Sequence, residues 1–307
     1  MMNDQAEALR NLVRGENARF FGARRPQAQA ARKNRSTRVL TVTSGKGGVG
    51  KSNFTLNFAL QLQMLGYRVL VFDADIGMAN IDVLMGATPQ FTLYHLLKRE
   101  KTIDEIVCRG YNDLQYIAGG SGFNDLIALT GDELEYFTEQ VLSLGETLDF
   151  ILFDTGAGLS KETFAFIMAA DETIVVTTPE PTAITDAYAL IKMVHGRAPD
   201  TEFKLVVNRA SDRKEGQQTA DKIRLVAQRF LKLDIPLLGT ISDDANVSKA
   251  VKRQIPFTAL FPDTAAAREL KELTLKYCSP LSRDAPVRQT EGGGVKRFLT
   301  RIMQILK

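Results

Sequence analysis

From Arg38 onward, short β-branched apolar runs alternate with longer stretches in which apolar positions recur every three to four residues. The runs Val39–Thr43, Arg68–Phe72, Leu114–Ala118, Phe150–Phe153, Thr173–Thr177, Phe203–Val207 and Pro236–Ile241 predict strands. Several, such as "FILF" and "TIVV", are continuously apolar, as expected of parallel strands covered on both faces. Helices are predicted over Lys51–Leu65, Leu93–Lys98, Asp132–Leu144, Lys161–Ala169, Ile184–His195, Gln217–Phe230, Val247–Lys252 and Ala265–Tyr277. "TIDE" at Thr102–Glu105 and "TGDE" at Thr130–Glu133 have the capping-box spacing that marks a helix start. This alternation predicts an α/β fold: a doubly wound, mostly parallel sheet with helices on both faces.

The two ends have a different texture. Residues 1–13 contain "NDQAEALRNLV", a short helix pattern that Asn3 or Asp4 can cap. Residues 14–37 are basic and aperiodic and read as a flexible arm. The folded body is expected over residues 38–278. A Pro/Gly-rich linker follows over 279–294, then a final helix over 295–307 with Val295, Phe298, Leu299, Ile302, Met303 and Leu306 on one face.

Composition changes this picture little. The chain has 307 residues, 44% hydrophobic and 24% charged, with a formal charge of +3, which is ordinary for a globular protein. The distribution is more telling. Residues 1–38 hold nine Lys/Arg against three acidic residues, so the body is mildly acidic and the basic excess sits in the arm. Cys108 and Cys278 form no CxxC, so neither a disulfide framework nor an iron–sulfur site is suggested. The polar, acidic start is unlike a signal peptide, and no apolar run reaches the ~20 residues of a membrane span. The expectation is a cytoplasmic protein. His95 and His195 read as structural or surface residues.

The candidate chemistry starts at Gly45–Ser52, G-K-G-G-V-G-K-S, a full match to GxxxxGK[ST] lying between a predicted strand and a predicted helix. Gly47, Gly48 and Gly50 free the backbone so that its N–H groups converge on phosphate oxygens beside the helix N-terminus. Lys51 reaches the β/γ-phosphates, and Ser52 offers a hydroxyl to Mg²⁺. Asp73 and Asp75 end one predicted strand. Asp154 ends the apolar run "DFILFD", where a buried strand holds a terminal carboxylate rigidly beside the metal.

Lys46 is a second lysine in the same loop, and with it "KGGVGKS" resembles the deviant Walker A motif of the MinD/ParA ATPases. The resemblance implies a P-loop NTPase of the SIMIBI, MinD-like type that binds ATP and Mg²⁺ and forms a homodimer when ATP-bound. Lys46 would then cross to the partner's nucleotide and act as an arginine finger does. "VLVFDADIGMANIDVLMG" resembles switch I. Asp75 would position or deprotonate the attacking water, with Asp73 in the outer shell of Mg²⁺ or orienting the loop. "DTGAGLS" resembles switch II, with Gly156 where MinD has proline, a change expected to loosen that backbone. "LVVNRA" and "GTISDDANVSKAVKRQIPF" resemble the adenine-reading segments and imply Asn208 and Asp243 as base contacts, although Ser242 replaces the usual proline. "TTPEPTAITDAYALIKM" resembles a nucleotide- and dimer-facing loop leading into a helix that carries Asp186. The nucleotide-binding set expected on these grounds is Gly45, Lys46, Gly47, Gly48, Val49, Gly50, Lys51, Ser52, Asn53, Asn208 and Asp243. Lys46, Lys51 and Asp75 are expected to be catalytic, and Ser52, Asp73 and Asp154 to hold the metal.

"DQAEALR" is similar to the N-terminal DQAxxLR motif of the flagellar MinD-like ATPases (FlhG, FleN or YlxH). That resemblance implies control of flagellar number and placement. It also implies stimulation of the GTPase FlhF through Asp4, Gln5, Ala6, Leu9 and Arg10, contacts with flagellar C-ring or basal-body components, and contact with a flagellar transcription activator. Phe298, Leu299, Ile302, Met303 and Leu306 are expected to enter an anionic membrane at the inner face of the cell, gated by ATP-driven dimerisation. The alternative is that this helix packs on its own domain or on a protein. Two rivals share the loop: a switch protein that sequesters a transcription activator, and a ParA-type DNA partition ATPase. The C-terminal helix argues against the second, and no specific DNA binding is expected.

Overall fold

The computed structural model describes residues 36–75, 80–119, 131–145, 147–282 and 294–306. The N-terminal positions Asp4–Arg10 and residues 14–35 of the basic arm lie outside the described residues, as do 76–79, Thr130 of the second expected capping box and the 283–293 stretch of the expected linker.

The apolar runs form an eight-stranded sheet: β1 (Arg38–Thr43), β2 (Val69–Ala74), β3 (Cys108–Arg109), β4 (Gln115–Ile117), β5 (Phe150–Thr155), β6 (Glu172–Thr177), β7 (Phe203–Ala210) and β8 (Leu237–Ser242). Their order is β3-β4-β2-β5-β1-β6-β7-β8. Every pairing is parallel except that of β3 with β4. The helices are α1 (Lys51–Met64), α2 (Ile81–Met85), α3 (Leu93–Leu97), α4 (Ile103–Ile106), α5 (Gly131–Gly145), α6 (Lys161–Ala169), α7 (Pro181–His195), α8 (Arg213–Leu231), α9 (Ala245–Lys252), α10 (Phe257–Leu260), α11 (Ala265–Ser282) and α12 (Gly294–Leu306). Strand β3 and helices α2 and α10 have no counterpart in the pattern reading, because two to five residues are too few to show a period. The capping box at Thr102 is present, with Glu105 accepting from the Thr102 N–H at 2.9 Å. His95 does the same for the preceding helix, its Nδ1 accepting from the Thr92 N–H at 3.2 Å.

Alternation along each strand feeds apolar side chains to both faces. Leu40, Val71 and Leu152 join α1 and α11 on one side, while Val39, Phe72 and Phe153 join α5 and α6 on the other. A third cluster fills the space between β6, β7 and helices α6–α8. Helix α1 is therefore enclosed, with Phe54, Leu56, Phe58 and Leu62 all buried.

The end of the chain differs from the expectation of a lipid-facing helix. Phe298, Leu299 and Ile302 are 2%, 1% and 1% exposed and belong to the core under β1 and β5. The Phe298 ring stacks on Phe153 at 4.7 Å and lies 6.2 Å from Phe166. Met303 is half-buried, and the side chain of Leu306 lies outside the described ones. Gly294 lets α12 start against β1, since a Cβ there would lie 2.1 Å from the Thr37 carbonyl oxygen. Arg297 pairs with Asp171, which also accepts from the Val39 N–H at 2.9 Å. The reason for docking is the general one: four apolar side chains leave water, each contributing roughly 1.5–3 kcal/mol. No helix among the described residues is long and apolar enough to cross a membrane.

Phe298→Ala should lower the urea-unfolding free energy by about 3–5 kcal/mol. A change below about 0.5 kcal/mol would show that α12 does not rest in this core in solution.

Candidate functional site

The carboxyl ends of β1, β2, β5, β6, β7 and β8 gather on one edge of the sheet, where a doubly wound fold places its ligand crevice. The loop after β1 supplies the anion site. Gly50 has φ +89°, and a Cβ there would lie 2.4 Å from Asn208 Nδ2, so the loop closes only with glycine at this position. Helix α1 begins directly after it, with its first N–H groups and positive dipole end at the loop.

Lys51, only 7% exposed, donates to Asp154 Oδ1 at 2.9 Å and lies 3.3 Å from Ser52 Oγ. Asp154, the next-to-last residue of β5, has no exposure at all. A buried carboxylate needs partners, and the sequence reading names neither of those found here: it places Lys51 at the phosphates and does not single out Thr55. Thr55, one turn along α1 from Lys51, donates its hydroxyl to the same Oδ1 at 2.8 Å. It carries no motif signature. A hydroxyl one turn beyond a P-loop lysine, facing a strand that ends in aspartate, is the signal that could have found it.

Asp154 Oδ2 is buried and has no hydrogen-bond partner among the described residues. That free lone-pair site belongs to the carboxylate that Lys51 links to the Ser52 hydroxyl, and carboxylate and hydroxyl oxygens are the donors a hard divalent cation takes when phosphate and water complete its shell. Asp73 is arranged differently. It is paired in register with Asp154 across β2 and β5. Its Oδ2 accepts from the N–H groups of Asn80 (2.7 Å) and Ile81 (3.0 Å), and its Oδ1 from Asp75 N–H (3.3 Å). Both oxygens thus hold the loop that leads into α2. Of the two roles expected for Asp73, outer metal shell or orienting the loop, the contacts are those of the second. Burial, reinforced by the charge of Asp154, pushes the Asp73 carboxyl up to about 7.

Asp75 is partly buried and accepts from Asn80 Nδ2 at 3.1 Å. Burial raises its pKa, as does Asp154, while Lys51 and the Asn80 amide pull the other way. Gly156 sits against it: a Cβ at 156 would lie 3.3 Å from Asp75 Oδ1. The glycine expected to loosen switch II therefore also makes room for the Asp75 carboxylate. The Gly158 N–H donates to the Ser44 carbonyl at 2.9 Å, tying this segment back to the phosphate loop.

Lys46 leaves the loop sideways. Its ammonium donates to Glu180 Oε2 and Thr182 Oγ1, both at 2.9 Å, at the start of α7. The pair is open to solvent, with the side chains 39% and 52% exposed. The contact with Lys46 holds Glu180 below the usual carboxylate range. Asn208 donates to the Val49 carbonyl at 2.8 Å, bracing the loop from β7. Asp243 is exposed and faces Arg209 at 3.5 Å. With Thr178, Pro179, Glu180, Ser211 and Glu215 these two line a recess of about 210 Å³. Asp243 thus lines this recess, whereas the Asn208 amide is engaged by the loop itself. Asp186, half-buried on α7, backs the loop through its main chain, since a Cβ on Gly45 would lie 2.2 Å from the Asp186 carbonyl carbon.

The family model described as ParA: NUBPL iron-transfer P-loop NTPase matches residues 35–277. The chain belongs to the ParA/MinD family of P-loop ATPases. The flagellum site-determining protein YlxH of Helicobacter pylori is 36% identical, the match covering 99% of this chain and all of that protein. The antiactivator FleN of Pseudomonas aeruginosa is 34% identical over 87% of this chain and 93% of its own length. Among solved structures, the septum site-determining protein MinD of Pyrococcus horikoshii, complexed with Mg-ADP, superposes with a TM-score of 0.66 at 24% identity. That match covers 82% of this chain and the whole of the other. As a ParA/MinD-family member the chain is an ATPase, and the loop, Asp154 and the Asp73–Asp75 segment lie together on the ligand edge of this family's fold.

An acid raised to about 7 in the folded state binds its proton between roughly pH 4 and 7, where an unfolded aspartate does not. The folded form is then favoured at the acid end, and stability falls as pH rises through that window. Asp73→Asn removes this titration. The difference in urea-unfolding free energy between about pH 5 and about pH 8 should shrink relative to wild type; an unchanged difference would show that Asp73 is ionised throughout.

Proposed function

We propose that this ATPase is a dimerising switch that controls flagellar placement and number. The observation that carries the reading is Lys46. A loop lysine that served its own nucleotide would turn toward the N–H crown. This one is held outside it by Glu180 and Thr182, on an exposed edge that a second copy can reach. Delivered across a dimer, its charge would meet the partner's triphosphate where negative charge shifts during hydrolysis. Mg²⁺, held by Ser52 and the unpaired oxygen of Asp154, would supply the remaining charge neutralisation at the phosphates. Lys51 binds the β/γ-phosphates, and Asp75, partly buried and raised in pKa, orients or deprotonates the attacking water. Whole-length similarity to a flagellum site-determining protein supports the flagellar setting. The name of the FleN relative, an antiactivator, favours a second output: the ATP-bound form sequesters a flagellar transcription activator. The N-terminal DQAEALR segment is assigned to stimulation of FlhF, and flagellar C-ring components are the expected structural partners.

Membrane attachment, in this proposal, is an exchange. The face of α12 that would enter lipid is the face packed under β1 and β5. Moving it between two apolar surroundings roughly conserves the burial energy. What differs is the Arg297–Asp171 pair and the ring stacking lost, against about 1 kcal/mol for each of Lys296, Arg297 and Arg301 near an anionic surface. A single copy then stays docked or binds weakly, and two joined copies bind through effective concentration. The floor of the dock includes Phe153, which precedes Asp154, and Phe166 on the helix after switch II, so a change at the nucleotide reaches it over a short distance.

Lys46→Ala should leave nucleotide binding by the monomer intact while lowering ATP turnover about 10³-fold and removing the ATP-dependent dimer seen by sedimentation. Turnover within tenfold of wild type would overturn the assignment. In flotation with phosphatidylglycerol-containing liposomes, recovery should require a non-hydrolysable ATP analogue and should vanish when Val295–Lys307 is removed. Recovery that survives the truncation would exclude α12 as the anchor.

A further inference from the structure

Asn57 lies fully buried on α1, with every polar atom of its amide engaged. Nδ2 donates to the Asn53 carbonyl oxygen at 2.8 Å and to Asn53 Oδ1 at 2.9 Å. Oδ1 accepts from the Thr258 N–H at 3.1 Å and the Thr258 hydroxyl at 2.9 Å, at the start of α10. The orientation of this amide is forced. The backbone N–H of Thr258 can only donate, so it must face Oδ1, and the backbone carbonyl of Asn53 can only accept, so it must face Nδ2. The atom of the Asn53 side chain that meets Asn57 must then be its oxygen. Asn53 is left with its Nδ2, a pure donor, as the atom not engaged by Asn57.

Asn53 is the third residue of α1, in the turn that also carries Lys51 and Ser52. A donor there adds to the N–H crown; an oxygen there would oppose it. From this we propose that Asn57 is a positioning residue for nucleotide binding: by holding the oxygen of Asn53 inward, it presents the Asn53 amide N–H to the phosphates that ATP and ADP share. α10 completes the device, because Thr258 fixes the far side of Asn57. The claim extends the reading that the nucleotide occupies the loop before α1, and that reading has its own control. Lys51→Ala must abolish nucleotide binding, and if binding survives, the loop assignment fails whatever Asn57 does.

The test is a double-mutant cycle read by equilibrium binding of ATP and ADP to the full-length protein. Asn57→Ala should weaken both nucleotides about fivefold to tenfold and to the same extent, because the phosphates concerned are common to both. On an Asn53→Ala background the same change should alter binding less than about twofold, since the group it positions is gone. A packing role alone would weaken binding equally on both backgrounds, and that result overturns the proposal. Because Asn57→Ala leaves Thr258 and Asn53 unpaired in the core, Asn53→Asp provides a second arm that spares the core. Its inward oxygen still accepts from Asn57, so the melting temperature should hold, while a carboxylate oxygen replaces the Nδ2 donor. Both affinities should fall at least about tenfold; Asn53→Asp binding within about twofold of wild type also overturns it.

Discussion

A carboxylate with no access to water stands at the end of the central strand pair, and much of the molecule is arranged around it. Asp154 follows the apolar run of a buried strand and is itself buried, so its charge is placed where solvent cannot compensate it. Lys51 and Thr55 converge on one of its oxygens, and both belong to α1, which fixes that helix and the loop before it relative to β5. Asp73 stands beside it in register and cannot comfortably share the same charge. It holds its proton to higher pH and gives its oxygens to the backbone that starts α2. Two carboxylates one strand apart thus take different work, one facing the P-loop and one the switch loop.

The same two strands connect the site to the end of the chain. Phe72 and Phe153 directly precede Asp73 and Asp154, and their rings stack at 4.9 Å. Phe298 from α12 extends the stack by one ring. Since neighbours along a strand point to opposite faces of the sheet, each carboxylate has, one residue before it, an aromatic ring in the layer where α12 docks. Interiors packed this tightly transmit displacement rather than absorb it. The arrangement gives nucleotide-driven movement near Asp154 and Asp75 a short route to the C-terminal helix, through side chains that occupy no motif.

Much of the architecture was legible in the sequence. Seven of the eight strands and the long helices follow from period and run length, and the phosphate loop and the aspartate at the end of β5 are contiguous motifs whose chemistry is local. What escaped reading are the pairings between residues far apart along the chain. Thr55 meets Asp154, Lys46 meets Glu180, and Asn57 meets Thr258, at separations of 99, 134 and 201 residues. Each looks unremarkable in its own window: a threonine and an asparagine inside a helix, a glutamate before a proline. Gly156 shows the same limit from the other side. Its sequence context suggested backbone mobility, and the packing adds a steric reason, the nearby Asp75 carboxylate.

The sequence by itself determined the class of fold, the anion-binding loop, the order of the carboxylates and the existence of an amphipathic C-terminal helix, because each is written in residues close enough to interact within one element or one turn. Only the tertiary structure decided which oxygen of Asp154 is spoken for, where Lys46 rests, how the Asn53 amide is turned, and that the apolar face of α12 is buried under β1 and β5. Those outcomes depend on which distant surfaces meet. A stripe of apolar side chains records that something must cover it, and says nothing of whether the cover is lipid, another protein or the protein's own core.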